Sequence, residues 1–394
     1  MVKCMNKPPY LAPENYWVVS EHADVLAVFD SEVSSNDMTE HIDVDNAPFG
    51  WKETQRYIGE KQLLANGLDV RVFIQLDDPR HAKYRKPFMR LVNKRSVSKV
   101  EEFVRSETKR RVKENLNNNS FDLTQDLVHP VLLDAMLEVV GIKELKDNRE
   151  KIDWANFILM MQLGPAFGTD RRAKETQEFR DDINKAFATI VEIMQPAIDE
   201  RKRNPNGDFL SQLIHDDKMS EMSIHLSMVC FLTAFRGAAE SSINQTFILL
   251  AERKDIQEEI RKGKKIDHKT FMEFVRYTNA TLGWTLVLKK DVEINGAFMK
   301  KGMYVYADIA SANHDPKVFK NPNEINFDRE KNPTLSFGSG IHACMGIQLA
   351  QMEMSALVEE TILATSSIEL TGEPQKYDTM IMNEFQSIPF KLNK

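Results

Sequence analysis

Phe337-Gly338-Ser339-Gly340-Ile341-His342-Ala343-Cys344-Met345-Gly346-Ile347-Gln348-Leu349-Ala350 is the stretch on which the reading of this chain turns. Cysteine is ordinarily an inert small hydrophobe, and only three occur in 394 residues. Cys344 follows a glycine-rich loop and opens an amphipathic pattern from Ile347 to Ile362. At a helix N-terminus a sulfur meets the positive end of the helix dipole and unpaired backbone N–H groups. Both effects predict a lowered thiol pKa and a stabilised thiolate. The flanking glycines let the backbone approach something flat and bulky. The plainer alternative is a structural cysteine at a helix start.

Outward from this run, the chain is long enough for a large core, and 42% of it is apolar. Net charge is −7 and the pI about 5.8, with lysines and arginines scattered, which argues against nucleic acid as a partner. Cys4, Cys230 and Cys344 show no even spacing, so a disulfide framework is not expected and a reducing cytoplasm is. Met1 to Tyr10 lacks the apolar core of a signal peptide. No stretch reaches the roughly 18 apolar residues of a membrane span, so no membrane is expected.

Apolar residues at three- and four-residue spacing predict helices over Val97–Glu114, Leu123–Val140, Lys174–Lys202, Ser223–Arg253 and Ile347–Ile362. Strands are predicted only at Tyr16–Val19, Thr285–Leu288 and Tyr304–Val305, and Asn204-Pro205-Asn206-Gly207 breaks two helices. The expected class is mainly α with a small β-sheet region, as a single domain over 1–394.

The cysteine run resembles the haem-binding loop of the cytochrome P450 family, Phe-Gly-x-Gly-x-His-x-Cys-x-Gly-x-x-Leu-Ala, at every fixed position. The resemblance implies haem b, with Cys344 as its axial ligand and Phe337, Gly338, His342, Gly346 and Ala350 around it. Glu273-Phe274-Val275-Arg276 is similar to the family's Glu-x-x-Arg, a supporting pair on one helix face. Ala312-Asn313-His314-Asp315-Pro316 resembles its Ala-Asn-Arg-Asp-Pro, and Glu200 to Ser211 its join between two central helices. In Asp77-Asp78-Pro79-Arg80-His81-Ala82-Lys83-Tyr84-Arg85, four-residue spacing puts His81 and Arg85 on one face. The resemblance implies that they and His342 grip the haem propionates through charge-assisted hydrogen bonds.

The resemblance runs from about Trp17 to the C-terminus, and its departures are specific. Family members usually carry some forty more residues before Trp17, so the first helix and part of the sheet read as shortened or absent. Leu286 stands where many bacterial members have a propionate-binding arginine. Glu324 stands where an arginine often completes the Glu-x-x-Arg cluster, with Arg329 or His314 as candidate replacements.

Phe231 to Ser242 aligns with the helix crossing the distal haem face, and Gly237-Ala238-Ala239-Glu240-Ser241 with its Ala/Gly-Gly-x-Asp/Glu-Thr. Activating O₂ consumes protons, which the resemblance assigns to Glu240 and Ser241. Serine lacks threonine's methyl, so its rotamer is freer and more leakage to peroxide is expected; Ser242 could share its role. Arg236 has three readings: an i,i+4 pair with Glu240, an anchor for an anionic substrate, or support for peroxide use. Substrate contacts are implied for Ala280 and Leu282, for the Phe157 to Phe167 region, and for Phe49, Trp51, Tyr57 and Phe73 in the segment before the His81 helix.

The implied activity is a haem-thiolate monooxygenase oxidising a small organic substrate, in secondary metabolism, with electrons from a separate ferredoxin- or flavodoxin-type donor and its reductase. A haem-binding module without turnover and a peroxide-driven peroxygenase are the competing readings.

Overall fold

The computed structural model describes residues 6–37, 41, 73–167, 176–217 and 219–394. The expected balance of elements holds. Helices dominate, and the principal sheet has five strands in the order Tyr10–Leu11, Trp17–Val19, Tyr304–Ala307, Trp284–Leu288, Ser34–Ser35. Trp17–Val19 runs parallel to Tyr304–Ala307 with Val18 opposite Tyr306, and the remaining pairs are antiparallel. Leu286, across from Val305, is buried in the core that this sheet shares with the His22–Val28 helix.

The helical part is organised by local stop signals. Asn93, Asp122, Asp208 and Asp267 each cap a helical segment by accepting a backbone N–H three residues on. Helix His129–Val140 ends at Gly141 and helix His268–Thr278 at Asn279, both in the left-handed region that ends helices. The predicted segment Val97–Glu114 is two helices, Lys94–Ser98 and Glu101–Asn115. The predicted Ser223–Arg253 helix begins at Glu221 and runs to Glu252, with a π turn at Phe235–Ala239. Single π turns inside α-helices concentrate at functional sites.

Helix Ile347–Leu363, which follows the cysteine, packs on Glu101–Asn115 and on Glu240–Glu252. One large apolar core joins them, with Leu349, Met354, Leu357 and Val358 on the first helix and Ile243, Phe247 and Leu250 on the last. The cysteine loop is thereby fixed relative to the π turn. Among the described residues, no helix is long and apolar enough to cross a membrane.

Candidate functional site

The cysteine loop is held by its own backbone. The Cys344 N–H donates to Phe337 O at 2.8 Å and the Gly338 N–H to Leu335 O at 2.9 Å. Gly338 and Gly340 both have positive φ, 65° and 68°. A Cβ on Gly338 would come no nearer than 4.0 Å to the His342 carbonyl, so this glycine faces open space. A Cβ on Gly340 would lie 3.1 Å from Phe29 O, so here a side chain is excluded by the backbone of another segment. The Phe337 ring lies 5.7 Å from that of Phe271. Gly346 starts the following helix, accepts the Ala350 N–H at 2.9 Å, and donates its own N–H to Cys344 Sγ at 3.3 Å.

The thiol departs from expectation. Cys344 keeps accessible surface, yet the protein hems it in closely enough for desolvation to push it above its ordinary value. The Gly346 N–H and the Arg85 guanidinium pull the other way without prevailing. The hydrogen bond at the helix N-terminus does not by itself offset that burial.

The loop rests on a buried ionic cluster. Glu273 and Arg276, 1% and 0% exposed, pair through two bonds of 2.8 Å. Arg329 is the third member: its Nε lies 3.0 Å from both Glu273 oxygens, and its other nitrogens donate to the carbonyls of Lys320, Asn321 and Glu324. His314 is not part of the cluster and bonds instead to Asn279 and Ala310 O. Glu324 contributes only its carbonyl, which Arg276 also reaches at 3.1 Å. Arg276 donates to Asn313 O at 3.0 Å, and Asn313 Oδ1 accepts the N–H of Leu335 at 2.8 Å. Leu335 O in turn takes the Gly338 N–H, so the cluster is wired to the cysteine loop through Asn313.

Three side chains with hydrogen-bonding capacity to spare gather beside this loop. Arg85, on helix Arg80–Phe88, donates to Ala343 O. The His81 and His342 rings lie 4.4 Å apart. His81 Nδ1 is 3.4 Å from Asp78 Oδ1, while His81 Nε2 and both ring nitrogens of His342 are buried with no protein partner. Burial and the neighbouring Arg85 charge hold His81 below its usual value. Burial, then His81, pushes His342 down to about 4. A buried, unpaired polar atom is costly. Two such rings and a guanidinium beside a thiol suit a ligand that brings carboxylates to one edge and a sulfur-binding metal to its centre. The residues present fit haem.

Just after the π turn, the expected acid and alcohol do not bond to each other. Glu240 Oε2 lies 2.7 Å from His129 Nδ1, whose Nε2 lies 2.8 Å from Asp153 Oδ1. Ser241 is 1% exposed, and its hydroxyl donates to Asn383 O at 2.8 Å, with Ala280 O at 3.4 Å. Ala280 O also accepts the Asn383 N–H at 2.8 Å, and the Leu282 N–H donates to Ile381 O at 2.8 Å. The 280–282 segment is thus pinned to 381–383, with Ser241 tying both to the π-turn helix. The backbone of Arg236 lies in the π turn. Its side chain lies outside the described residues, as do the side chains of 160–167 and the segment holding Phe49, Trp51 and Tyr57. Phe73 is core, its ring 5.6 Å from that of Phe88. Sequence reasoning missed His129 and Asp153. A histidine immediately before Pro130 at a helix start was the one visible signal.

Comparison with known proteins matches residues 71–389 to the cytochrome P450 family model. A steroid C26-monooxygenase of Mycolicibacterium smegmatis is 25% identical over 378 residues, covering 94% of this chain and 82% of that protein. A linalool 8-monooxygenase of Pseudomonas putida is 23% identical, covering 97% and 92%. The crystal structure of CYP109B1 from Bacillus subtilis superposes with a TM-score of 0.81 at 21% identity, over 98% of this chain and 96% of that one. With the family model covering most of the chain and the fold matching throughout, the protein belongs to the cytochrome P450 family, oxidoreductases that carry haem b and act as monooxygenases.

Proposed function

We propose that this chain is a haem-thiolate monooxygenase that oxidises a small organic molecule of secondary metabolism, with Cys344 as the axial ligand. The observation that carries the reading is the set of unpartnered buried nitrogens on His81 and His342 beside Arg85 and Cys344. When bound, haem b activates O₂ for insertion of one oxygen atom into a C–H bond.

The chain's own residues then divide the work. His81, Arg85 and His342 hold the propionates, giving the two imidazoles the partners they lack. Phe337, Gly338, Gly346 and Ala350 shape the proximal cradle, and the Glu273–Arg276–Arg329 cluster keeps the loop rigid through Asn313. Glu240 moves protons to the distal side. The Ser241 hydroxyl, donating to Asn383 O, keeps its lone pairs to accept a hydrogen bond from water. Ala280 and Leu282 border the substrate, and Arg236 on the π turn is the anchor proposed for an anionic group on it. Electrons come from a separate ferredoxin- or flavodoxin-type donor with its reductase.

The test is a ligand screen read by the haem spin-state shift, followed by turnover with such a donor. A monooxygenase consumes O₂ and NAD(P)H and yields oxidised product. A shift without O₂ consumption would make the chain a binding module and overturn the reading.

A further inference from the structure

His129 carries two short polar contacts that haem binding does not account for. Its ring bridges Glu240 and Asp153 at 2.7 and 2.8 Å, one carboxylate on each nitrogen. The three residues belong to three elements, helices His129–Val140, Arg149–Phe167 and Glu240–Glu252. Side-chain exposure falls from 30% at Asp153 to 11% at His129 and 12% at Glu240. The row therefore leads from water into the protein and stops at the first residue after the π turn. Burial alone would depress the imidazole; hydrogen bonds that the ring donates to Asp153 and Glu240, with the charges of those carboxylates, more than offset it and raise it to about 9. The acidic groups facing the ring are Glu240 from the π-turn helix and Asp153 from the Arg149–Phe167 helix. With a carboxyl oxygen within hydrogen-bond distance of each ring nitrogen, both contacts are donated by the ring at once when both nitrogens hold protons.

We propose that Asp153 and His129 are the proton inlet to Glu240. His129 gives its Nδ1 proton to Glu240 Oε2, and Glu240 passes it to the distal side. The neutral ring then turns its bare nitrogen outward and regains a proton from solvent by way of Asp153. One proton enters at Asp153 for each that leaves at Glu240, and no net charge accumulates. His129 and Asp153 are positioning and relay residues. The inference rests on Glu240 being the distal acid of the proposed monooxygenase.

The experiment compares the haem-loaded wild type with Asp153→Asn and His129→Asn, using one substrate and one electron donor. Asp153→Asn changes a partly exposed group and keeps the test available if His129→Asn fails to fold. General acid–base steps contribute about 10²–10⁴-fold. Product formation in both variants is therefore expected to fall about tenfold or more, with a larger share of O₂ released as hydrogen peroxide and a larger solvent isotope effect. Substrate affinity by spin-state titration stays unchanged, which a general structural defect would not allow. Independently of turnover, nitrogen-15 spectra of the diamagnetic carbon monoxide complex should show a doubly protonated His129 ring at pH 7. Its titration should drop by about one unit or more in Asp153→Asn, as for loss of an adjacent opposite charge. A neutral ring at pH 7, or unchanged peroxide release in Asp153→Asn with the haem-thiolate spectrum intact, overturns the relay alone. Absence of that spectrum in the wild type overturns the monooxygenase reading beneath it.

Discussion

At the scale of single residues, Arg329 turns a two-member ion pair into a closed cluster. Glu273 accepts from Arg276, Arg329, the Asn326 N–H and Asn332, and Arg329 also satisfies three carbonyls. Removing one partner of a buried ionic group leaves the rest unpaired, at about 3–5 kcal/mol. Arg329→Ala is expected to lose stability of that order in urea unfolding of the haem-loaded protein. Arg329→Lys should recover little, because an ammonium cannot reproduce the planar fork. A loss near zero for Arg329→Ala would mean that the cluster is not what supports the loop. Glu353 is the opposite case, a carboxyl 1% exposed whose Oε1 has no partner. Burial raises its pKa well above the ordinary value. Below about pH 4 the group is neutral both folded and unfolded, so ionisation adds no penalty. Above that the unfolded chain ionises while the native state resists, so the penalty grows with pH. Glu353→Gln should therefore stabilise the protein at pH 8 more than at pH 5. A urea midpoint shift that is the same at both values would contradict the assignment.

Elements explain why some of the site was legible and some was not. The cysteine loop and the Glu273–Arg276 pair are each local, with spacing that fixes their relative placement, so they could be read from the chain. Arg329, offered by the sequence only as one of two candidates with His314, reaches Glu273 across 56 residues, and His129 reaches Glu240 across 111; such meetings depend on tertiary packing, which no local pattern records. The Ser241 hydroxyl was equally hidden, because its acceptor, Asn383 O, lies 142 residues away. The thiol's enclosure was hidden for a related reason. A helix N-terminus is visible in sequence, whereas enclosure by the rest of the fold is not. Within the loop, Gly338 and Gly340 share a left-handed backbone but differ in surroundings. Alanine at either position meets strain of about 1–3 kcal/mol, and at Gly340 it also meets Phe29 O. Thermal unfolding should show Gly340→Ala as the more damaging of the two, and equal losses would refute the packing of the loop against the first helix.

At the scale of the whole molecule, the large helical core joins the cysteine helix to the π-turn helix, and the carbonyl of Phe29, at the end of helix His22–Val28, abuts the loop at Gly340. That arrangement sets a sulfur, two imidazoles and a guanidinium on one wall and leaves Glu240, with its line to solvent, on a separate helix. Everything distinctive in the proposed chemistry depends on the sulfur being the ligand. The direct measurement is the carbon monoxide difference spectrum of the reduced, haem-loaded protein, wild type beside Cys344→His. The wild type is predicted to show the long-wavelength band of thiolate-ligated haem, and Cys344→His to retain haem but show the shorter-wavelength band of imidazole ligation. A wild type without the thiolate band, or a variant that keeps it, would contradict the assignment of Cys344.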